Sequence, residues 1–396
     1  MRIITITIIS LLALSIAGCK STTKKYDRQL PPGQLALRKI TDPAQMPDLT
    51  KACSTIYDRQ AMLDSIDNSI KYLSIKSTEK FYPYGDVTHE QMKQSLETFK
   101  DLLSNSTSPA QLKSALKEQF DVYISVGCDD LGTVLYTGYY TPILDGSYKP
   151  DGRFRYPLYK RPADLIKTDD GEILGQKLPD GSIAKYPSRQ QIESSGMLNG
   201  TELVYLTDPF EVYVAHIQGS AMVKLPDGQI ITVAYDGCNG HEYNSIRAEL
   251  IKDGKIAAET ASMITIMDHF NRNPQDVARY VQRNPRFVFF YETTGTPHGC
   301  LNVPVTPNRT VATDKTIFPR AGITVIDTTI PRAYGSDIVQ RPYQGFAMDQ
   351  DSGGAIRAPG RCDIYMGSGP IAGQTAGQTC QEGKLYYLIL KKQYLK

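Results

Sequence analysis

The segment DQDSGGAIRAPGRCDIYMGSG, residues 349–369, places three aspartates among five glycines. Carboxyl groups act as general acids or bases, as metal ligands, or as acceptors of backbone hydrogen bonds in turns. The spacing of Asp349, Asp351 and Gly353 resembles the start of a calcium loop, but the glycine comes one position early and no closing glutamate follows. The segment by itself therefore leaves its chemistry open.

The rest of the sequence lacks the common catalytic and metal-binding motifs. Its five histidines form no H-x-x-x-H pair, which argues against a zincin-type metal site. There is no G-x-S-x-G nucleophile elbow, and the glycines at 367, 369 and 373 miss the dinucleotide-binding spacing by one residue. We therefore expect neither a metal nor a cofactor.

The N-terminus predicts a lipid-anchored protein. MRIITITIISLLALSIAGC has one basic residue, an apolar run too short to span a bilayer, and small residues before Cys19. This pattern predicts a lipoprotein signal peptide over 1–18, lipid on Cys19 and a polar tether over 19–35; a plain secretory signal or a short anchor is the alternative. Because Lys20 follows the cysteine, we expect location at the periplasmic face of the outer membrane.

Composition excludes one class of partner and permits disulfides. The formal net charge of +2 gives no electrostatic basis for nucleic-acid binding, and 396 residues are enough for two cores. Six cysteines besides Cys19 allow disulfides outside the cytoplasm, with the pairing undetermined.

The element pattern is mainly β with helical insertions. Apolar residues at helical spacing predict helices over 62–73 and 92–102, and Ser108-Pro109 opens another through Phe120. Strand-like texture begins at Val122 and includes all of 202–237, with a hairpin turn at 225–229. Further predictions are helices within 245–283, a buried strand over 284–292 and a short helix in IAGQTAGQT.

Three blocks carry a family resemblance. They are TGYYTP (137–142), IQGSAMVKLPDGQIITVAYDGCNGHEYNSI (217–246), and a C-terminal set of VATDKTIFPRAG (311–322) and AMDQDSGGAIRAPGRCDIYMGSGPIAG (347–373). In this order, over about 115–394, the chain resembles the membrane-bound lytic murein transglycosylase A (MltA) family. The resemblance implies a double-psi β-barrel domain from 36–142 and 297–396. A smaller β-rich domain, 143–296, is inserted, and a glycan groove lies between the two.

The resemblance also implies an activity. Such enzymes cleave the β-1,4 bond after N-acetylmuramic acid in peptidoglycan without water, and the sugar's C6 hydroxyl closes onto C1 as a 1,6-anhydro end. An intramolecular nucleophile lowers the need for a second carboxylate. One acid then suffices, and the family pattern places it at Asp363, which must start protonated and so needs a raised pKa.

The neighbouring aspartates are expected to support Asp363. The family's C-terminal block places supporting carboxylates at Asp351 and Asp314. Asp351 either tunes the acid or accepts amides in a turn, whereas Asp314 is expected to cap a turn. Asp349 is expected to be a solvated turn residue.

Glycan binding is assigned to the polar and aromatic members of the matching motifs. We expect one of the adjacent pair Tyr139 and Tyr140 to pack in the core instead. We expect the glycines at 353, 354, 367 and 369 to adopt positive φ or to allow close approach of the backbone. Gly367 and Gly369 are also expected to aim backbone N–H groups at developing negative charge. The predicted binding residues are Thr137, Tyr139, Tyr140, Gln218, Gly219, Ser220, Asn239, Tyr243, Gly367 and Gly369.

Two departures from the family pattern and two rival functions stay open. Cys362 precedes the catalytic aspartate where members often have Phe or His, and it is either reduced or bridged; Cys362–Cys380 and Cys238–Cys300 are the candidate disulfides. Arg357 stands where members often carry Lys. The rivals are a non-catalytic peptidoglycan-binding lipoprotein and a hydrolase, whose second carboxylate would be Glu242 or Glu292. Expected partners are peptidoglycan strands, the membrane and cell-wall enzyme complexes.

Overall fold

The computed structural model describes residues 25–168, 173–258, 260–261, 263–334 and 337–396. The predicted signal peptide and the lipid-carrying Cys19 lie outside the described residues. The described end of the tether contacts the folded chain, with Lys25 Nζ 2.6 Å from Glu382 Oε1. Within the ranges given above, no helix has both the length and the apolar character needed to cross a membrane.

Helices and strands alternate in blocks along the chain. The described helices are α1 (Thr50–Cys53), α2 (Gln60–Leu73), α3 (His89–Asn105), α4 (Pro109–Gln119), α5 (Arg189–Ser195), α6 (Pro209–Gln218), α7 (Ile246–Lys252), α8 (Met263–Arg272), α9 (Asp276–Val281) and α10 (Gly369–Gln378). The described strands are β1 (Leu37–Lys39), β2 (Phe120–Ser125), β3 (Val134–Thr141), β4 (Ile143–Ser147), β5 (Tyr156–Tyr159), β6 (Leu165–Lys167), β7 (Ile173–Lys177), β8 (Ile183–Ala184), β9 (Glu202–Leu206), β10 (Ser220–Lys224), β11 (Ile230–Cys238), β12 (Val288–Thr293), β13 (Thr310–Ala312), β14 (Ile323–Tyr334), β15 (Asp337–Asp351), β16 (Arg361–Ser368) and β17 (Cys380–Leu390).

The N-terminal helices form a layer against the following strands. The predicted helices are confirmed in α2, α3 and α4, whose apolar faces bury Met62, Ile66 and Phe99. Helix α3 begins where the Thr88 side chain accepts from Gln91 N, which satisfies an otherwise unpaired amide of the first turn. Burial of these faces fixes the helices on one side of the strand core.

Six strands close into a barrel. β17 pairs with β14, β14 with β15, β15 with β13, β13 with β16, β16 with β3, and β3 returns to β17. The β13–β15 and β16–β3 pairs are parallel and the others antiparallel. Side chains including Tyr136, Ile326, Ile364 and Leu385 fill a buried cluster, so the closed sheet has a packed core.

The segment between β3 and β13 forms separate sheets. Six strands run in the order β12-β11-β10-β4-β9-β5, and β6, β7 and β8 form a small antiparallel sheet. The predicted hairpin turn is confirmed: Leu225 N donates to Gln229 O, and Gly228 has φ +87°. The predicted fold class, a mainly β barrel with an inserted β-rich part, is thereby confirmed.

One predicted strand is wrong. The texture of 202–237 predicts continuous strands, but Pro209–Gln218 is the helix α6. The Asp208 side chain accepts from Phe210 N at 2.7 Å, and Pro209 occupies the first helical position. Asp-Pro is a strong helix start, and this signal outweighs the β-branched and aromatic residues that follow.

Candidate active site

Strand register brings two of the expected aspartates together. Ala312 of β13 is paired with Asp351 of β15 on one side and with Asp363 of β16 on the other. Since neighbouring strands lie about 4.8 Å apart, the Cα atoms of the two aspartates are separated by roughly 10 Å. Both residues line a groove of about 960 Å³ that also contacts Gln218 and Tyr243 of the inserted part. The groove therefore lies between barrel and insert.

The carboxyl group of Asp363 is held at one oxygen. The Thr137 hydroxyl, on the paired strand β3, donates to Asp363 Oδ1, and Arg361 Nη2 lies 3.4 Å from Thr137 Oγ1. A guanidinium group can only donate, so Thr137 accepts from Arg361 and uses its own hydrogen for Asp363. Within the described part of the chain Thr137 is the one hydrogen-bond partner of this carboxyl, which leaves Oδ2 available to a ligand.

The surroundings of Asp363 favour its neutral form. Burial raises the pKa of Asp363 to about 6, the Arg361 charge lowers it, and the Asp351 charge raises it. A carboxyl removed from water loses solvation mainly in its ionised state, which explains the direction. This agrees with the raised pKa expected of a general acid at this position.

The carboxyl group of Asp351 accepts three hydrogen bonds. Tyr139 Oη donates to its Oδ2 at 2.7 Å, and the amides of Cys300 and Ser352 donate to its Oδ1 at 2.9 and 2.8 Å. Burial raises the pKa of Asp351, and these hydrogen bonds oppose the rise. The amide bonds show that Asp351 organises the turn at Ser352, and tuning of Asp363 by its charge stays a prediction.

Asp314 has the structural role that the sequence favoured. Its Oδ1 accepts from the amide and hydroxyl of Thr316, and its Oδ2 accepts from Ala358 N at 3.0 Å. Asp314 therefore caps its own turn and ties the 352–360 loop to the end of β13. It lines the groove while being almost wholly buried.

The prediction for Asp349 is wrong. Asp349 is fully buried within β15, where its carboxylate pairs with Lys315 Nζ at 2.5 Å. Thr313 and Tyr387 donate further hydrogen bonds to it. Side chains alternate between the two faces of a strand, so residues 349 and 351 are on the same face in a regular strand. The register shift beside Ala312 separates them, which the spacing alone could not reveal.

The adjacent tyrosines have different surroundings, and neither lies in the buried core. Tyr139 lines the groove, bonds to Asp351 and lies against Tyr365 with ring centroids 5.2 Å apart. The Tyr140 ring packs instead against α10, where a Cβ on Gly373 would stand 2.9 Å from it. Tyr140 contributes through its amide, which donates to Gln218 Oε1 at 3.1 Å and links β3 to the end of α6.

The insert contributes most of the remaining predicted binding residues to the groove. Gln218, Gly219, Ser220 and Tyr243 all line it, and Gly219 ends α6 with φ +75°. Asn239 is the exception. It is 1 % exposed, its amide donates to Pro187 O and Pro285 O, and its carbonyl accepts from Phe287 N. The structure therefore places Asn239 inside the domain, where its polar atoms hold backbone together.

The glycines after Asp363 lie away from it. Gly367 and Gly369 have φ +107° and +82°, as expected, and Gly369 begins the predicted helix α10. Neither lines the groove, and Gly369 is six positions after Asp363 along the chain, up to roughly 20 Å away. The helix start is therefore too far to stabilise charge at Asp363. Gly353 and Gly354 do line the groove, without positive φ.

The described cysteines are all free thiols, so neither candidate disulfide forms. Cys362 is fully buried in the barrel cluster, because side chains alternate along β16 and it faces away from Asp363. Burial raises its pKa well above the usual range, which makes it an unreactive thiol. Cys362 therefore has a packing role.

The remaining sequence candidates differ in position. Arg357 is exposed and lines the groove. Glu242 and Glu292 do not line it, and Glu292 accepts from Tyr148 Oη at 2.9 Å. Among the described residues, no group of three or more His, Cys, Asp or Glu side chains could hold a metal ion.

Among the basic residues that the sequence did not single out, three contact or face the segments that carry the aspartates. Arg361 lies two positions before Asp363, and that spacing on a strand predicts a shared face, so a signal was present. Lys315 pairs with Asp349, and Arg286 enters the groove from the insert. No local pattern marks these two, because their neighbours come from distant segments of the chain.

The fold and groove define a class of protein in which a closed β-barrel and an inserted β-rich domain enclose a cleft with buried carboxyl groups. Family models agree: the MltA specific insert domain matches residues 135–291, and the 3D domain matches residues 309–389. The chain belongs to the MltA family.

Individual relatives are similar over most of the chain. "Membrane-bound lytic murein transglycosylase A" of Escherichia coli (strain K12) is 29% identical over 272 residues, which are 68% of this chain and 69% of that protein. The Vibrio cholerae protein of the same name is 29% identical over 268 residues, 67% and 68% of the two chains.

Solved structures share the fold. A membrane-bound lytic murein transglycosylase from Agrobacterium tumefaciens aligns with a TM-score of 0.73 and 24% identity, covering 90% of this chain and 98% of that one. Escherichia coli MltA with bound chitohexaose aligns with a TM-score of 0.68 and 24% identity, covering 92% and 96%.

Proposed function

We propose that this protein is a peptidoglycan lytic transglycosylase. It cleaves the β-1,4 bond between N-acetylmuramic acid and N-acetylglucosamine and leaves a 1,6-anhydromuramyl end. The observation that carries this proposal is Asp363, a groove carboxyl with its pKa raised to about 6. Among the described residues, Thr137 alone donates to it, at Oδ1. Membership of a family whose relatives are named lytic murein transglycosylases supports it.

In this mechanism Asp363 acts twice. Its Oδ2 proton passes to the glycosidic oxygen as the bond from that oxygen to muramyl C1 breaks. The C6 hydroxyl oxygen of the same muramyl residue then bonds to C1, and its proton returns to Asp363. The carboxyl ends as it began, and no water is consumed. Holding the C6 hydroxyl near C1 makes the attack intramolecular, which replaces a second activating group.

The rival functions have less support. A hydrolase would need a second carboxylate free to activate water or to form a glycosyl bond. Glu242 and Glu292 do not line the groove, and Asp351 already accepts three hydrogen bonds. A non-catalytic binding protein would not need a neutral acid with one free oxygen in its groove.

The domains and the membrane anchor belong to the same proposal. Residues 36–142 and 297–396 are assigned to the catalytic barrel and 143–296 to the substrate-binding insert. Lipid on Cys19 would hold the enzyme at the periplasmic face of the outer membrane, as a tether beside its polymer. Relatives named membrane-bound support membrane association.

Mass spectrometry of digested sacculi tests the activity. Release of anhydro ends, one water lighter than hydrolysed ends, is the expected result. Reducing ends would overturn the proposal in favour of a hydrolase, and intact polymer in favour of a binding protein. Growth of a strain with Cys19→Ala, followed by membrane fractionation, tests the anchor separately.

A further inference from the structure

Arg286 is a cation that reaches the groove from the insert. It lies between α9 and β12, and its side chain extends to the barrel loop that follows Asp351. A Cβ on Gly354 would stand 3.3 Å from Arg286 Nε, so the absence of a side chain there allows the guanidinium group to approach the loop. Arg286 therefore bridges the two walls of the groove.

No carboxylate among the described residues pairs with Arg286. Two groove lysines have carboxylate partners, since Lys167 pairs with Asp236 at 2.9 Å and Lys315 pairs with Asp349. Arg320 and Arg357 of the barrel also line the groove without a salt bridge among the described residues, and Arg286 is the unpaired cation on the wall formed by the insert. Across the described ranges Arg286 has no salt bridge, and its side chain makes one hydrogen bond, from Nη1 to His241 O at 3.2 Å. A guanidinium group has five N–H donors, so four of them are left for a ligand.

The backbone of Arg286 is held in place by buried groups. Its carbonyl accepts from Arg189 Nη2 at 2.7 Å, and its amide donates to Asn284 Oδ1 at 3.2 Å. Arg189 is 1 % exposed and Asn284 is 3 % exposed, so this support is rigid. The fixed backbone and the bond from Nη1 to His241 O restrict the side chain in advance, so the guanidinium group loses less entropy when it binds a ligand.

Arg286 lies on the part of the groove next to Asp351. Gly354 is three residues after Asp351, so it lies within about 10 Å of that residue. The sugar backbone of peptidoglycan is uncharged, but the C3 substituent of each muramyl residue carries carboxylate. This is either a free lactyl carboxylate or, when the lactyl group is amide-linked, the carboxylates of the attached peptide.

We propose that Arg286 is a substrate-binding residue that recognises a carboxylate on the muramyl C3 substituent. This inference rests on the proposed function and adds the chemical group that separates peptidoglycan from neutral N-acetylglucosamine polymers. The planar guanidinium can bind a carboxylate through two parallel hydrogen bonds, which an ammonium group reproduces less well. Arg286 thereby distinguishes a muramyl residue from an N-acetylglucosamine residue in the groove.

The test compares Arg286→Gln and Arg286→Lys with the wild-type protein. Arg272→Gln, at the exposed end of α8 and outside the groove lining, is the matched control. Three substrates are used: peptide-bearing glycan strands, strands stripped of peptide so that the lactyl carboxylate is free, and stripped strands with this carboxylate converted to a methylamide. Kinetics of anhydro-end release give kcat and KM, and calorimetry on the same strands gives Kd.

For Arg286→Gln we expect KM and Kd to rise roughly 10- to 100-fold on carboxylate-bearing strands, as for loss of a charged hydrogen bond. The variant and the wild-type protein should behave alike on methylamide strands, and Arg286→Lys should be intermediate. If KM and Kd rise only on stripped strands, the group recognised is the lactyl carboxylate. If they rise only on peptide-bearing strands, it is a carboxylate of the attached peptide.

Equal losses on all three substrates, or no loss on any, would overturn the carboxylate assignment. A wild-type protein that binds these strands but releases no anhydro ends would refute the proposed function. The Kd comparison would still decide the role of Arg286.

Discussion

Asp351 and Asp363 lie on the two strands that flank β13, and both pair with Ala312 of that strand. The first accepts hydrogen bonds from a tyrosine and two amides, whereas the second accepts one from Thr137. These surroundings suit different tasks, since hydrogen bonds favour an ionised carboxylate and burial favours a neutral acid. Two carboxyls in unlike surroundings are a common arrangement for separating an acid from its electrostatic partner.

Asp363→Asn should abolish release of anhydro ends. An amide keeps the shape and still accepts from Thr137, but it has no proton to give. The expected loss in kcat is at least about 10²- to 10⁴-fold, the usual contribution of general acid–base catalysis. Glu242→Gln, an exposed change outside the groove, is the control. Full activity of the Asp363 variant would refute the assignment of the acid.

The same variant should be more stable than the wild type at neutral pH. Because the folded pKa of Asp363 lies above its unfolded value, the folded state binds more protons between about pH 4 and 6. The stability from this group is present below pH 4 and is lost as pH rises through 6. Urea unfolding at pH 7 should show Asp363→Asn more stable by about 1–3 kcal/mol. A difference that persists unchanged at pH 4 would contradict this explanation.

Activity should fall as pH rises through about 6, because Asp363 must be protonated to act. The pH at which activity falls should move in opposite directions in two variants. Arg361→Met removes a charge that lowers the pKa of Asp363, so the activity of this variant should fall at a higher pH. Asp351→Asn removes a charge that raises the pKa of Asp363, so the activity of this variant should fall at a lower pH. Profiles of kcat/KM against pH measure both shifts, and movement in the same direction would show that charge is not the cause.

The adjacent tyrosines offer a matched pair. Tyr139→Phe removes the hydrogen bond to Asp351 while it keeps the ring contact with Tyr365, and we expect kcat/KM to fall by about 2- to 10-fold, as for one hydrogen bond. Tyr140→Phe should leave kinetics unchanged, since its ring packs on α10. Equal losses in the two variants would place both hydroxyl groups in the site.

The buried pair of Lys315 and Asp349 should be important for stability. Replacing either partner alone leaves a charge in a site where the two side chains are 6 % and 0 % exposed, at a cost of about 3–5 kcal/mol. Lys315→Met with Asp349→Asn together should cost less than the sum of the single changes. Denaturant unfolding of the wild type, the two single variants and the double variant measures this coupling. The exposed pair of Lys392 and Asp86 is the control, with an expected coupling below about 1 kcal/mol. Additive losses at Lys315 and Asp349 would show that the pair is not coupled.

Local patterns predicted many elements but not all of their neighbours. The helices after residue 60 follow from apolar spacing and from caps such as Ser108, which are encoded within a few residues. Helix α6 was missed because strand-like residues follow its Asp-Pro start. Asn239 looked like a binding residue because of its motif, yet its amide serves Pro187, Pro285 and Phe287.

The sequence by itself determined the family blocks and most helices, because these depend on residue types at short spacing, and the family resemblance led to the prediction of Asp363 as the acid. Tertiary structure alone decided which groups surround that acid. Barrel closure places Thr137 beside Asp363 although 225 residues lie between them. The extra residue of β15 opposite Val311 and Ala312 separates buried Asp349 from groove-lining Asp351. Burial and pairing depend on the whole sheet, so the pKa of the acid and the uncompensated charge of Arg286 become visible only when distant segments meet.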